Sequence, residues 1–159
     1  MRMTLETKVK QAKEKGIILP QELLNDDIVG IYGLFATKEN KKKCFYIGKA
    51  TNICSRLLDS SYGHIHSYLK GREGFVQNKI KKYIDNGYMI EVEILKEIDY
   101  KDTCFSKAAH RLALAELEKI VEFQEKGECL DQLPEGTTAY QKRYWENKYK
   151  IRSQKEESC

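Results

Sequence analysis

The chain has 159 residues, with 28 Lys and Arg against 24 Asp and Glu for a net charge of +4, a length that suits one domain and leaves little room for a second. The mild positive excess permits a nucleic-acid partner without demanding one, because what matters is where the charge clusters. Five cysteines, an odd number with no C-x-x-C pair and no histidine at ligand spacing, argue against a disulfide framework and a structural zinc site, and fit a reducing compartment. No run is apolar for long enough to span a bilayer, and the first residues lack the apolar core of a signal peptide. A soluble cytoplasmic protein with no membrane contact is the expectation.

Residues 1–27 read as an N-terminal helical extension. A charged helix over 1–16 places Leu5, Val9 and Ala12 on one side, and Lys8, Lys10, Lys13 and Lys15 belong to a solvated face or to a DNA contact. Residues 17–20 break the helix, 21–24 allow another short helical turn, and Asn25-Asp26-Asp27 leads into a strand.

Residues 28–35 and 44–48 are two short runs rich in β-branched and aromatic residues, separated by the polar stretch 37–43, and they predict a β-hairpin with a basic loop. Alternation puts Tyr32 on one face with Gly30, and Tyr46 with Gly48, while Val29, Ile31, Phe45 and Ile47 point into a core. The result is a strand face with two phenols among residues that have no side chain, a bare patch open to a bulky anionic group. Thr51 is placed to cap a helix with Ile53, Leu57 and Leu58 as its apolar stripe and Arg56 at the stripe's edge.

Gly30-Ile31-Tyr32 on a first strand, Tyr46-Ile47-Gly48 on a second and Arg56 on the following helix, in that order, resemble the GIY-YIG nuclease superfamily. The resemblance implies a small α+β fold, a three-stranded antiparallel sheet flanked by helices, over residues 28–126, with extra helices at both ends. It also implies a phosphodiester hydrolase that uses one divalent metal. Many relatives carry His or Tyr one helical turn after the Arg as a proton relay. Ser60 occupies that place here, a departure from the pattern, and His64, or less favourably His66, takes the role if the loop carries a few inserted residues.

Residues 75–86 predict a helix with Val76, Ile80, Tyr83 and Ile84 inward, Asn78, Lys79, Lys81 and Lys82 outward and Gly87 just past its end. Lys79, Lys82 and His66 are candidate nucleic-acid contacts. In residues 88–98, Ile90, Val92 and Ile94 alternate with Glu91 and Glu93, the pattern of a half-buried third strand. The longest helix, 105–126, is expected to bury Ala113, Leu114, Leu117, Ile120 and Val121, with Glu116 and Glu118 on either flank. The family's metal-binding Glu is followed four residues later by an apolar residue. Glu116 with Ile120 fits that spacing, and Glu118 with Glu122 does not.

Residues 127–159 form a C-terminal extension with a turn at Leu133-Pro134-Glu135-Gly136 and a helix over 138–151 that mixes Tyr140, Tyr144, Trp145 and Tyr149 with Lys142, Arg143, Lys148, Lys150 and Arg152. Such a helix either docks with Trp145 inward or tracks a nucleic acid. The family's terminal Asn has no clear counterpart, Gln141 being a weak substitute, and residues 153–159 look disordered.

In the reading the resemblance implies, Tyr32 positions or deprotonates the attacking water and Tyr46 and Arg56 hold the scissile phosphate. Lys49 and Arg56 lower the phenol's pKa, His64 relays the proton, and Glu116 holds Mg²⁺ or Mn²⁺ at the leaving group. The expected function is metal-dependent DNA endonuclease, a stand-alone enzyme of restriction or phage type. The rivals are a non-catalytic nucleic-acid-binding module and a repair or mobile-element nicking nuclease. One such site cuts one strand, so double-strand scission takes either two protomers or two successive encounters, and a homodimer on DNA, through the apolar sides of the end helices, is the expectation.

Overall fold

The computed structural model describes residues 3–25 and 27–149; the sequence readings for residues 1, 2, 26 and 150–159, including Lys150, Arg152 and the tail, lie outside these. The fold is α+β, with one four-stranded mixed sheet and, among the described residues, seven helices. In chain order they are α1 (Leu5–Glu14), β1 (Ile17–Ile18), α2 (Gln21–Asn25), β2 (Gly30–Lys38), β3 (Lys41–Ala50), α3 (Ile53–Leu58), α4 (His64–Leu69), α5 (Phe75–Asp85), β4 (Met89–Glu97), α6 (Phe105–Glu125) and α7 (Ala139–Tyr149). No helix among the described residues is long and apolar enough to cross a membrane.

The strand order is β1-β4-β2-β3. β2 pairs antiparallel with both β3 and β4, which gives the three expected strands, and β1 adds a fourth, parallel to β4, so the sheet is mixed rather than antiparallel throughout. Gly16, at φ 89°, ends α1 and turns the chain, and its carbonyl accepts the Ile90 N–H at 2.8 Å, which sets Ile17 opposite Ile90. Two residues are too few to leave a period-2 signature. Residues 3–18 are thus built into the sheet and its core, with Ala12 fully buried, and are not an appendage.

Both faces of the sheet are covered. On one, Tyr32, Leu34, Ala36, Val92 and Ile90 pack with Ala12, Leu23, Ile53, Leu57, Ile65, Val76 and Ile80 from α1 to α5. On the other, Ile31, Phe35, Cys44 and Ile47 pack with Leu112, Ala115 and Phe123 of α6. The tyrosine face is therefore a packed layer with Tyr32 fully buried, not the bare patch expected of an isolated hairpin.

The hairpin is longer and tighter than its composition suggests. The lysine-rich stretch is part of the ladder, with Thr37 opposite Lys42 and Lys38 opposite Lys41, and only Glu39 and Asn40 make the turn, Glu39 at φ 58°. Exposed lysines are compatible with strand where one face is wet, and Lys42 is held there by Glu91 and Glu93 of β4 at 3.0 and 2.8 Å. The β2–β3 register shifts between Leu34, paired with Tyr46, and Phe35, paired with Cys44, which leaves Phe45 as an extra residue. This bulge puts Phe45 into the same core as Tyr32, although simple alternation assigns it to the opposite face from Tyr46.

β3 is a sheet edge, and the chain covers its backbone with side chains from 128–132. The Cys44 N–H donates to Glu128 at 2.6 Å, and the Gln132 amide brackets Ile47, accepting its N–H at 3.0 Å and donating to its carbonyl at 2.5 Å. Lys79 donates to the Phe45 carbonyl and to Asp131, both at 2.8 Å. The edge strand that carries Tyr46 is thereby locked.

Candidate active site

The two glycines of the strand motifs are explained by close approach. A Cβ on Gly48 would lie 2.4 Å from the Tyr32 hydroxyl, and one on Gly30 would lie 2.1 Å from the Lys96 carbonyl oxygen. Gly48 stands opposite Tyr32 in the ladder, so the phenol lies flat over its bare backbone. The Tyr46 ring is tilted against Tyr32 at 6.3 Å between centroids, and Tyr46 in turn meets the His64 ring at 5.6 Å and the Phe75 ring at 6.5 Å.

Arg56 reaches the same place from α3. The cap of that helix is Asn52, whose side chain accepts the Ser55 N–H, and not Thr51 one residue earlier. Asn52 is preferred because its amide also donates to Asp27 at 2.8 Å, fixing the start of α3 beside the entrance to β2. The far end of α3 is held by Lys8. This lysine is buried, and its ammonium donates to the Leu58 carbonyl at 2.5 Å and to the Ser60 hydroxyl at 3.0 Å, a favourable charge at a helix C-terminus. Lys8 is therefore a structural anchor and not part of a solvated or DNA-facing row. Arg56 itself donates to the Tyr62 carbonyl at 3.4 Å.

Glu116 comes from the other side of the sheet. The buried face of α6 runs through Ala108, Leu112, Ala115 and Phe123, while Leu114, Leu117 and Val121, expected in the core, are exposed. The helix is rotated because Leu112 and Phe123 are the residues that fill the space left by Ile31, Phe35 and Ile47. That rotation carries Glu116 inward to 17% side-chain exposure, its carboxylate 3.4 Å from the Lys49 ammonium, and leaves Glu118 in solvent. Lys49 also lies 3.8 Å from Glu135. Tyrosines from one face and Lys49 with Glu116 from the other thus meet around the edge strand. Beside them opens a cleft of about 290 Å³ lined by Lys49, Thr51, Asn52, Ser55, Arg56 and Tyr62, with two cations and no carboxylate among its lining residues.

The electrostatics differ from the sequence expectation at one residue. Burial, followed by the Tyr46 phenol, pushes the Tyr32 phenol well above the ordinary tyrosine range, and Arg56 pulls it back by less, so Tyr32 is not the lowered base that Lys49 and Arg56 were expected to make. Its hydroxyl is buried without a hydrogen-bond partner. Burial also raises Tyr46, against the pull of Arg56. His64 is buried, with neither ring nitrogen hydrogen-bonded, and desolvation together with Arg56 lowers it to about 4, so it is neutral near pH 7. Buried polar atoms without partners are uncommon, and three of them stand here, on two residues that both pack against Tyr46.

Tyr32, Tyr46, Lys49, Arg56, His64 and Glu116 are brought together. The three nucleic-acid candidates are not. His66 is buried, near Lys8 and Arg72, with no surface to offer. Lys79 is engaged by Asp131 and Phe45. Lys82 lines a separate cleft with Lys43, Tyr83 and Asp131. Gln141 caps its own helix in a reciprocal pair with Thr138, and α7 buries none of its residues, Trp145 included. The amide that does reach the site strand is Gln132, which no sequence pattern marks, because a side chain bonding a backbone 85 residues away leaves no periodic trace.

As a cation site the donor set is sparse. Among the described residues no three His, Cys, Asp or Glu side chains are grouped for a metal. Glu116 beside an open cleft suits an ion such as Mg²⁺, which keeps most of its shell as water and substrate oxygens. No family model, no curated protein and no solved structure matches the chain.

Proposed function

We propose that the chain is a metal-dependent endonuclease of GIY-YIG type that hydrolyses DNA phosphodiester bonds. The antiparallel β4-β2-β3 core with α3 and α5 against it is the finer form of the fold that this reading takes. One observation carries it: Tyr32, Tyr46, Arg56 and Glu116, from four elements and both faces of the sheet, converge beside a cleft whose charged lining is cationic.

In this mechanism Arg56, with Lys49 and the Tyr46 hydroxyl, binds the non-bridging oxygens of the scissile phosphate and stabilises the charge that grows there. Tyr32 stays a neutral phenol, and its buried, unpartnered hydroxyl would orient the attacking water once that water is admitted to it. His64, neutral and beside Tyr46, would accept the proton. Glu116 would hold Mg²⁺ or Mn²⁺, which when bound supplies positive charge for the departing 3′ oxygen. Until then the Lys49 ammonium neutralises the carboxylate. A homodimer on DNA is part of the proposal, since one site cuts one strand, and the exposed Leu114, Leu117 and Val121 offer a second copy an apolar stripe.

A non-catalytic nucleic-acid-binding module is the second reading, favoured by the burial of Tyr32. Incubation of defined duplex and single-stranded DNA with Mg²⁺, followed by sequencing of the new ends, separates the two. Ends at fixed positions are expected, and DNA retained but uncut over a wide range of Mg²⁺ and Mn²⁺ would leave only the binding module.

A further inference from the structure

We propose that two exposed aromatic rings at the rim of this site, Phe75 and Tyr62, form a stacking surface for an unpaired nucleobase, so that the preferred substrate is DNA in which a base beside the cut is free to leave its stack. This rests on the nuclease reading above.

Phe75 is the first residue of α5, and 56% of it is exposed, so more than half of a large apolar ring is open to a ligand. It is nevertheless held. Its edge meets Tyr46, and the Lys79 ammonium lies 5.1 Å from its centroid, itself fixed by Asp131 and the Phe45 carbonyl. Tyr62 is 52% exposed and is one of the residues lining the cleft, and its carbonyl accepts from Arg56. Phe75 therefore stands beside Tyr46, and Tyr62 follows with its backbone bonded to Arg56 and its side chain largely open, so the two flank the residues assigned to the phosphate.

A phosphate seated at that pair brings its own nucleotides to the rings. In an intact duplex, base faces are stacked on one another and closed to a protein ring. In a single strand, a bulge or a flipped nucleotide, a base face is open and stacks on an aromatic side chain with little regard to its identity. The cationic lining of the cleft holds the backbone, and the rings would then read the base's freedom rather than its sequence.

The test uses the full chain with Ca²⁺ in place of Mg²⁺ and oligonucleotides carrying 2-aminopurine at successive positions, whose emission falls when the base stacks. The single strand and a bulged duplex are expected to bind at least about tenfold tighter than the fully paired duplex, with one position quenched. Phe75→Ala, at an exposed site, should melt as the parent does, yet lose the quench and roughly tenfold to a hundredfold of single-strand affinity, with duplex affinity unchanged. Phe75→Trp should restore both. Equal affinities without a position-dependent quench would overturn the stacking surface and leave the nuclease reading standing. A Phe75→Ala change seen only in the sedimentation of the protein would assign the ring to a protein contact and overturn it as well. If no oligonucleotide binds, the nuclease reading falls with it.

Discussion

Tyrosines of the β2–β3 pair and tyrosines of α7 are treated in opposite ways. On β2 and β3, Tyr32 and Tyr46 are packed with His64 and Phe45 under α3 to α5, and polar atoms on Tyr32 and His64 are buried without partners. On α7, Tyr140, Tyr144, Trp145 and Tyr149 are all exposed, and the ring and cation contacts recorded there are made with residues of the same helix. A buried hydroxyl with nothing to bond costs roughly 1–3 kcal/mol, so the first region holds a structure that packing alone would not select. The second sacrifices little stability and gains little. Strain of solvation, rather than aromatic content, separates a candidate site from a surface.

The largest effect should come from the carboxylate that faces the buried region from α6. Glu116→Gln is expected to abolish Mg²⁺-dependent cleavage in a plasmid assay while DNA retention and the melting curve stay as in the parent. Glu118→Gln, in solvent two residues on, is expected to cut normally, and the opposite pattern would mean that the wrong glutamate has been assigned.

Tyr32→Phe removes only the unpartnered hydroxyl. The single-turnover rate should fall roughly 10²- to 10⁴-fold if that group orients the water. Stability to urea should hold or rise, because the buried, unsatisfied group is gone. A rate within a few-fold of the parent would reduce Tyr32 to a packing residue, with no more part in chemistry than the exposed tyrosines of α7.

The dryness of the site has a signature in pH. His64 in the folded chain titrates at about 4 against an ordinary 6.5, so the unfolded chain takes up the proton first. Its contribution is fully present above about pH 6.5 and is lost as the pH falls towards 4, by about 3 kcal/mol at most. His66, lowered by burial and by Lys8, acts in the same direction. Denaturant titrations between pH 4 and 7 should therefore show stability falling with acid, and His64→Phe should flatten much of that slope. An unchanged slope would mean that His64 is not the dry, partnerless group described.

The smallest effect belongs to α7. Trp145→Ala should change the unfolding free energy by under about 0.5 kcal/mol, against the 3–5 kcal/mol usual for a large aromatic in a core. A loss near the core value would show that α7 packs against a partner in solution and would erase the contrast between the two regions.

The sequence alone determined most of the local elements and the identity of most candidate site residues, though not α4, which begins inside a stretch that reads as a loop. Periodicity placed α5, β4 and α6 within a residue or two, and the order of Gly30-Ile31-Tyr32, Tyr46-Ile47-Gly48 and Arg56 selected the tyrosines, since these are short-range patterns. Tertiary structure decided the rest. It added β1 to the sheet, placed Phe45 by a bulge and turned α6 so that Leu112 and Phe123, rather than Leu114 and Leu117, fill the second core. It buried Lys8 against α3, enclosed His66, tied Lys79 to Asp131 and brought Gln132 to the edge of β3. Each of these is a contact between residues far apart in the chain, and a helical period names a face without saying which neighbour that face will meet. The charge state of Tyr32 belongs to the same class, because its cause is the depth of burial, which exists only once both faces of the sheet are covered.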